Sequence, residues 1–421
     1  MFDVRTWVDA KLAEGRRAYL DERVRELMTW QEREEAVIAQ GCLTYSKRAD
    51  QYVQGVYPTH VLADTGYGDG VHILSADGVV FIDFVCGLGA NICAVRVDLA
   101  RTNNSYSLPT TLEVEVAERI VSLFPVDKIR FLKTGSEACS AAIRIARAHT
   151  GRKVVIGMGY HGWHNTFISE EQPGAGCVYE FYIKVPNLRS IIATLNCWDT
   201  EMGTAPAAVI IEPMMLDVNV GDELRRLREQ CTAMGIVLIF DEVITGMRVP
   251  RRCVANWLNV KPDILCLGKA IADGYPLSVV GGSRAVMDTP DYFVSSTFAG
   301  EVSSLRACER VLDYMSDGVL AELWERGKAF QAKFNALCPD IQLVGIPTRA
   351  TWQGDEAKVN LFWQEMCKRR YLLGKAWFLH VNHTPAILAK FLVDAKEAIA
   401  DIQAGKVKLE GKPRQEMFKR Y

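Results

Sequence analysis

The stretch VLIFDEVITG, residues 237–246, places two carboxylates directly after four apolar residues. Val237 to Phe240 have the composition of a buried β-strand, and Asp241 and Glu242 stand where that strand ends. Acids at a strand end are often simply solvated, so this pair alone does not distinguish a surface from a functional site. The distinction depends on which side chains follow the other strands of the same sheet.

Apolar runs of strand length alternate with helical segments between about residue 113 and residue 310. The runs are KIRFLKT, KVVIGMG, AAVIIEP, GIVLIFDE, DILCLGK and LSVVGGS. This alternation predicts an α/β fold with a mostly parallel sheet covered by helices on both faces. Only AIADGYP separates the last two runs, which is too short for a crossover, so the final strand is predicted to be antiparallel.

The pattern changes on both sides of this region. Residues 3–40 have apolar positions at helical spacing, and residues 71–84 have a strand–turn–strand pattern. After about residue 316 the chain becomes helical and charged, with a few short strands and a helix near 384–404. The predicted divisions are N-terminal helices and strands over 1–95 that join a small domain, a large domain over 96–315, and a C-terminal small domain over 316–421.

Composition excludes several classes of function. The chain has 421 residues, with 49 Lys plus Arg against 51 Asp plus Glu, so its net charge of −2 gives no long-range attraction to nucleic acid or to an anionic membrane. No apolar run approaches the roughly 20 residues that span a bilayer, and the first residues lack the apolar core of a signal peptide. We expect a cytoplasmic protein with no nucleic-acid or membrane partner.

The cysteines and histidines do not indicate a metal site. The 12 cysteines are scattered through apolar segments without a C-x-x-C pair, which is typical of reduced, buried thiols. His161 and His164 are spaced H-x-x-H, but neither an acidic residue nor a third ligand accompanies them at the spacing of a zinc site. We therefore expect no metal.

A candidate phosphate-binding segment follows the strand KIRFL. Gly135 and Ser136 open a helix, and Thr134 and Glu137 have the spacing of a capping box. Free backbone N–H groups at such a helix start bind anions, most naturally a phosphate, although an ordinary helix cap has the same pattern.

Three other strands are followed by reactive side chains. Tyr160 and His161 follow KVVIGMG and offer an aromatic face, Glu212 follows AAVII, and Lys269 follows DILCLG. In open parallel sheets, ligands bind at these carboxyl ends. A lysine that forms a Schiff base, a stacking aromatic ring, an acid and a phosphate cradle are what pyridoxal 5′-phosphate requires.

This cofactor explains the acids in VLIFDEVITG. Asp241 is predicted to face the pyridine nitrogen and keep it protonated, which makes the ring an electron sink. Glu242 points to the other face of the strand and is predicted to be structural.

Seven stretches of the chain resemble a known family, the class III aminotransferases, which are pyridoxal-phosphate enzymes of fold type I. Within the family, the resemblance is strongest to the branch that contains glutamate-1-semialdehyde aminomutase, and it runs from about residue 72 to residue 312. The stretches are LPTTLEVEVAERI, RFLKTGSEACSAAIRIARAHTGR, GYHGWHN, AAVIIEPMM, LIFDEVITGMR, PDILCLGKAIADGYPL and STFAG. The resemblance implies a large domain with a seven-stranded type of sheet and a smaller α+β domain built from both ends of the chain.

The resemblance also implies roles for individual residues. Lys269 resembles the Schiff-base lysine and Asp241 the partner of the pyridine nitrogen. Val243 and Tyr160 would pack against the two faces of the ring. Glu212 matches the acid beside the phenolic oxygen of the cofactor.

The phosphate is implied to lie between two subunits. Gly135 and Ser136 resemble the phosphate cradle, and Thr297 in STFAG resembles the residue that reaches the phosphate of the neighbouring subunit. This sharing implies a homodimer.

The chain departs from the aminomutase branch at two positions. His60, in VYPTHV, stands where that branch carries an arginine that holds the substrate carboxylate, and GEV replaces GNP after the threonine of STFAG. Nearby arginines could supply a carboxylate clamp, but the sequence does not choose among Arg248, Arg251 and Arg252. The expected function is therefore transfer of an amino group from an amine or amino acid to a keto acid or aldehyde.

Three alternatives remain. The first is intramolecular amino transfer of the glutamate-1-semialdehyde aminomutase type. The second is a nucleotide-binding dehydrogenase, supported only by Gly87-x-Gly89 in GLGANIC, which lacks the third glycine of the fingerprint. The third is a non-catalytic relative of the same fold, which retention of both Lys269 and Asp241 argues against.

Overall fold

The structure is a computed structural model that contains one seven-stranded sheet and two three-stranded sheets. It describes residues 28–39, 42–63, 68–98, 104–167, 181–201, 205–214, 217–290 and 292–415. The strands are β1 (His72–Leu74), β2 (Val80–Asp83), β3 (Lys128–Leu132), β4 (Val155–Met158), β5 (Tyr182–Lys184), β6 (Ala208–Ile211), β7 (Val237–Glu242), β8 (Ile264–Leu267), β9 (Ser278–Gly282), β10 (Ile341–Ile346), β11 (Arg349–Gly354), β12 (Tyr371–Leu372) and β13 (Ala376–Phe378). The helices are α1 (Trp30–Val37), α2 (Thr111–Leu123), α3 (Gly135–Thr150), α4 (Leu188–Glu201), α5 (Gly221–Ala233), α6 (Val254–Leu258), α7 (Arg284–Met287), α8 (Val302–Tyr314), α9 (Asp317–Asn335), α10 (Glu356–Lys368) and α11 (Pro385–Gln403).

The seven-stranded sheet has the order β3-β9-β8-β7-β6-β4-β5. Strand β9 is antiparallel to both of its neighbours, and all other pairs are parallel. The predicted mostly parallel sheet with an antiparallel final strand is therefore confirmed. Because β4, β6, β7 and β8 run in the same direction, the residues that follow them meet at one edge of the sheet.

Helix α3 packs against one face of this sheet. Its start is fixed by the predicted capping box, in which the Thr134 hydroxyl accepts from the Glu137 N–H and the Glu137 carboxylate accepts from the Thr134 N–H. Caps of this kind contribute about 1 kcal/mol. The helix ends at Gly151, whose φ of 67° suits glycine. Its buried face is rich in alanine, which lets the helix approach the strands closely.

The two ends of the chain share a core. Strand β2 pairs in parallel with β12. Phe84, just after β2, stacks on Trp377 at 5.5 Å and packs edge-on against Phe391 at 5.2 Å. These contacts join the segment before residue 95 to the segment after residue 316, and the exact divisions at 95 and 315 stay predictions.

Three other sequence expectations have different outcomes. The hairpin around residues 71–84 and the helix near 384–404 are present as β1–β2 and α11. Of the helices expected over residues 3–40, residues 1–27 lie outside the described part, and only α1 is observed. None of the helices in the described ranges is long and apolar enough to cross a membrane.

Candidate active site

Asp241 lies at the end of β7 and bonds to an imidazole from the end of β4. Its Oδ2 is 2.7 Å from Nδ1 of His161, and its Oδ1 accepts from the Val243 N–H at 3.1 Å. Burial alone would lower the pKa of His161, but the hydrogen bonds and charge interactions with Asp241 and Cys139 together outweigh it and raise that pKa to about 10. His161 therefore favours its protonated form at neutral pH, and its ring nitrogen lies against the Asp241 carboxylate.

A thiol from helix α3 completes this buried cluster. Donor atoms of Cys139, His161 and Asp241 lie within 4.8 Å of one another. The hydrogen bond to Cys266, together with burial, raises the pKa of Cys139 well above its usual range, so the thiol is neutral. The three groups form a buried hydrogen-bond network around His161. The sequence did not single out Cys139.

The H-x-x-H pair does not converge on one point. His164 Nδ1 is 2.8 Å from the Ser140 hydroxyl, whereas His161 faces Asp241. The two imidazoles therefore serve different parts of the structure, in keeping with the expectation that this spacing is not a zinc motif.

Val243, which follows β7, packs against the start of helix α3 and the end of β8. A Cβ on Gly135 would lie 2.7 Å from Cγ1 of Val243, and a Cβ on Gly268 would lie 3.1 Å from the same atom. A Cβ on Gly162 would lie 2.2 Å from Oγ of Ser136. Glycine is thus required at each approach, and the backbone N–H groups of residues 135 and 136 stay open to an anion.

Glu212, after β6, is fixed against the segment that carries Tyr160. Its Oε2 accepts from the Tyr160 N–H at 3.0 Å, and a Cβ on Gly159 would lie 2.6 Å from the same oxygen. Tyr160 is 50% exposed.

Lys269 begins a 3-10 turn directly after β8. Its φ of 46° lies in the left-handed region, which costs a residue with a side chain roughly 1 kcal/mol. The turn ends at Asp273, whose buried carboxylate accepts three backbone hydrogen bonds and so anchors the turn. The donors are the N–H groups of Ile92, Cys93 and Val95, at 2.5, 3.0 and 2.6 Å.

Thr297 lies apart from this cluster in the chain. It is exposed and belongs to a turn over residues 297–300, between β9 and α8. The structure contains one subunit, so the contact with a neighbouring phosphate stays a prediction.

Two of the three arginines considered as carboxylate clamps already have partners. Arg248 is buried and donates to the carbonyls of Gly89, Asn91 and Leu379 at 2.8, 2.9 and 3.1 Å. Arg252 pairs with Asp317. His60 Nε2 lies 3.5 Å from the carboxylate of Glu34. Arg251 is exposed and is the remaining one of the three arginines.

The GLGANIC segment does not form a dinucleotide-binding turn. Residues 86–89 all have positive φ, between 49° and 83°, and make one left-handed turn. A dinucleotide fingerprint opens a right-handed helix whose N–H groups face the pyrophosphate. The geometry therefore removes the only support for a dehydrogenase.

Comparisons with known proteins give a consistent result. The sequence profile of class III aminotransferases matches residues 54–343. The glutamate-1-semialdehyde 2,1-aminomutase of Symbiobacterium thermophilum is 31% identical over 394 residues, which cover 80% of this chain and 89% of that protein. That of Methanothrix thermoacetophila is 32% identical over 317 residues, covering 65% and 70%.

Solved structures share the fold. The FumI protein of Sphingopyxis sp. MTA144, with PLP, superposes with a TM-score of 0.79 at 23% identity, covering 91% of this chain and 97% of that one. A β-phenylalanine aminotransferase from Variovorax paradoxus superposes with a TM-score of 0.73 at 23% identity, covering 95% and 96%.

Proposed function

Because the chain belongs to the class III aminotransferases, whose cofactor is pyridoxal 5′-phosphate, we propose that it moves an amino group from an amine or amino acid to a separate keto acid or aldehyde. The observation that carries this proposal is the bond of His161 to Asp241, at the end of β7, which pairs with the parallel strand β8 that leads into the turn of Lys269.

The residues present fit the cofactor. A side chain at Gly135, Gly162 or Gly268 would press on Val243 or Ser136, so these glycines let the backbone at the start of α3 and the ends of β4 and β8 approach closely. The phosphate would meet the free N–H groups of Gly135 and Ser136 at the positive end of α3. Val243 and Tyr160 would pack against the two faces of the ring.

The chemistry divides among a few side chains. When bound, the cofactor withdraws electrons from the bond that breaks at the α-carbon of the donor, through a protonated pyridine ring. Asp241 would hold the proton on the pyridine nitrogen, and His161 would orient the Asp241 carboxylate through its Nδ1. Lys269 would first hold the cofactor covalently and then, once displaced by the donor amine, carry the α-proton as a general base and acid. Glu212 would lie beside the phenolic oxygen.

Covalent attachment can be tested by borohydride reduction of the purified protein. We expect the reduced cofactor on the peptide that contains Lys269. The Lys269→Ala variant should lose this label and nearly all turnover, whereas Lys261→Ala, at an exposed lysine before β8, should keep both. A label on another lysine in the wild type would contradict the assignment.

We propose a homodimer in which Thr297 of each subunit contacts the phosphate of the other. The support is the exposed position of Thr297 in its turn and the resemblance of STFAG. Mixed dimers test this directly. Lys269→Ala and Thr297→Val subunits should regain activity when mixed, because one of the two sites then has both native residues. A fully active monomer in sedimentation would contradict the proposal.

The second candidate is an intramolecular aminomutase, favoured by the names of the curated relatives. A fixed clamp on the substrate carboxylate suits that reaction, and a bidentate arginine provides one. Here His60 takes that position and pairs with Glu34, which favours transfer between two molecules. Formation of amino acid from pyruvate or 2-oxoglutarate with an amine donor would support transfer. Conversion of glutamate-1-semialdehyde to 5-aminolevulinate, with no transfer to either keto acid, would contradict it.

We place the protein in the cytoplasm. The support is chemical, since the 11 cysteines within the described ranges are all free thiols, as in a reducing compartment.

A further inference from the structure

One buried ion pair joins the phosphate cradle to the loop that carries Thr297. Lys133 immediately precedes the cap of helix α3, and Glu301 is the N-cap of helix α8, four residues after Thr297. The Nζ of Lys133 lies 3.0 Å from Oε1 of Glu301, with side-chain exposures of 13% and 7%. Few ion pairs in the described residues are so well shielded from solvent, so this one is screened less than a surface pair.

Glu301 is held in place from both sides. Its carboxylate accepts from the N–H groups and the hydroxyls of Ser303 and Ser304, in addition to Lys133. Burial works against its charge, but these bonds outweigh burial and lower the pKa of Glu301 to about 2. The Ser304 hydroxyl also lies 3.1 Å from the carbonyl oxygen of Pro276, in the segment that follows Lys269. The carboxylate therefore has one orientation, and it fixes the end of the Thr297 turn.

Lys133 is fixed as firmly. Its backbone N–H donates to Glu137 at 2.9 Å, and Glu137 also accepts from the Thr134 N–H as part of the capping box. The residue that pairs with Glu301 is thus bonded into the first turn of α3, where Gly135 and Ser136 would meet the phosphate. A shift of one element would be transmitted to the other through this pair.

We propose that Lys133 and Glu301 are a positioning pair, which holds the Thr297 turn in register with the phosphate-binding end of α3. This inference rests on the proposed function, in which Thr297 reaches the phosphate of the partner subunit. In the dimer, the pair then aligns the cradle of one site with the threonine that serves the other. The sequence marked Glu301 only as a departure, in GEV.

The test separates affinity for the phosphate from affinity for the ring. Glu301→Gln keeps one acceptor oxygen for Ser303, whose donors bond to Oε2, and replaces Oε1, which binds Lys133 and Ser304, with an uncharged amide nitrogen. We expect this variant to bind pyridoxal 5′-phosphate about tenfold more weakly, the scale of one charged hydrogen bond. Its affinity for pyridoxal, which has no phosphate, should change by less than about twofold.

A double-mutant cycle gives the second measurement. If the pair acts through Thr297, then Glu301→Gln should weaken binding of pyridoxal 5′-phosphate by less than about a further twofold in the Thr297→Val variant. Lys128→Met is the matched control, because it breaks an exposed pair with Asp288 at the opposite end of β3 and should leave both affinities unchanged. If Glu301→Gln folds poorly, Lys133→Gln replaces it, because it keeps a donor to Glu301 without the charge. We expect Lys133→Gln to weaken binding of pyridoxal 5′-phosphate about threefold, with the same pattern across the two ligands.

Several outcomes would overturn the positioning role. In Glu301→Gln, these are an equal loss of affinity for pyridoxal 5′-phosphate and pyridoxal, or no loss of affinity for either. In the cycle, they are an unchanged affinity for pyridoxal 5′-phosphate in Thr297→Val alone, or a full tenfold loss when Glu301→Gln is added to Thr297→Val. Failure of the wild type to bind pyridoxal 5′-phosphate would instead contradict the proposed function, so the two failures are distinguishable.

Discussion

The two faces of strand β7 end in neighbouring carboxylates with opposite surroundings. Asp241 is 5% exposed and Glu242 is fully buried, so burial does not distinguish them. Asp241 faces the imidazolium of His161. Glu242 faces neutral donors at the start of helix α6 and caps that helix. Its donors are the N–H groups of Val254 and Ala255, at 2.7 and 3.0 Å, and the hydroxyl of Thr245 at 2.9 Å.

The difference in partners has an electrostatic consequence. Burial raises the pKa of Glu242 to about 7, and its hydrogen bonds offset this only in part, because none of them brings a positive charge. Asp241 has a cation beside it and can meet another cation, the pyridinium. Residue type and depth of burial therefore do not distinguish the functions of the two acids. The charge of the groups that bond to each carboxylate does.

Removing the charge of each acid in turn should give the largest difference. Asp241→Asn should lower kcat by several hundredfold, roughly 3 to 4 kcal/mol, because an amide cannot hold the proton on the pyridine nitrogen. Glu242→Gln should change kcat by less than about threefold, since its effect falls on stability. Steady-state kinetics measures kcat of both variants, and thermal unfolding checks that each variant is folded. Equal losses of kcat would remove the distinction between the two faces.

The raised pKa of Glu242 should make the free energy of unfolding depend on pH. Its pKa in the folded protein, about 7, lies above its ordinary value of 4.5, so the folded state binds the proton more tightly than the unfolded chain. The free energy of unfolding should therefore fall as the pH rises through this window, by about 3 kcal/mol. Urea unfolding of the wild type and Glu242→Gln at about pH 5 and about pH 8 measures it. The variant should lack this part of the slope, and an unchanged slope would count against the assignment.

The imidazole of His161 should matter less than the carboxylate that it supports. His161→Asn can still donate to Asp241 but carries no charge, so we expect kcat to fall about tenfold. His161→Phe removes the donor as well and should lose more. Rate measurements across pH test this. A His161→Asn variant that matches the wild type would show that Asp241 needs only a hydrogen-bond donor and not a cation.

Crowding at Val243 should give the smallest effect. Gly135→Ala places a methyl group 2.7 Å from Cγ1 of Val243, so one of the two must shift at the phosphate cradle. We expect affinity for pyridoxal 5′-phosphate to fall about fivefold, close to 1 kcal/mol. Adding Val243→Ala should restore part of the affinity. An equal loss in both backgrounds would contradict the steric account.

The sequence located the parts of the site that follow apolar runs. Asp241 lies in the last two residues of β7, and Gly135 and Lys269 follow β3 and β8 within three residues, so their proximity could be predicted because parallel strands bring their carboxyl ends to one edge. The separate roles of Asp241 and Glu242 also follow from the alternation of side chains along a strand.

Other features depend on partners that are distant in the sequence. Asp273 bonds to residues 92–95, about 180 positions earlier, and no periodicity marks that contact. Cys139 is one of many thiols in apolar surroundings, and only folding brings it to His161. Arg248 was a candidate for binding substrate, yet its guanidinium is bonded to backbone carbonyls. A motif shows which residue types are present, but it does not show which of these side chains already have hydrogen-bond partners in the folded protein.

The most direct test of the central claim is the protonation state of the cofactor's pyridine nitrogen, measured by nitrogen NMR with labelled cofactor bound to the protein. We predict a protonated nitrogen at neutral pH in the wild type and in Glu242→Gln, and an unprotonated nitrogen in Asp241→Asn. An unprotonated nitrogen in the wild type, or one that stays protonated in Asp241→Asn, would contradict the role of Asp241.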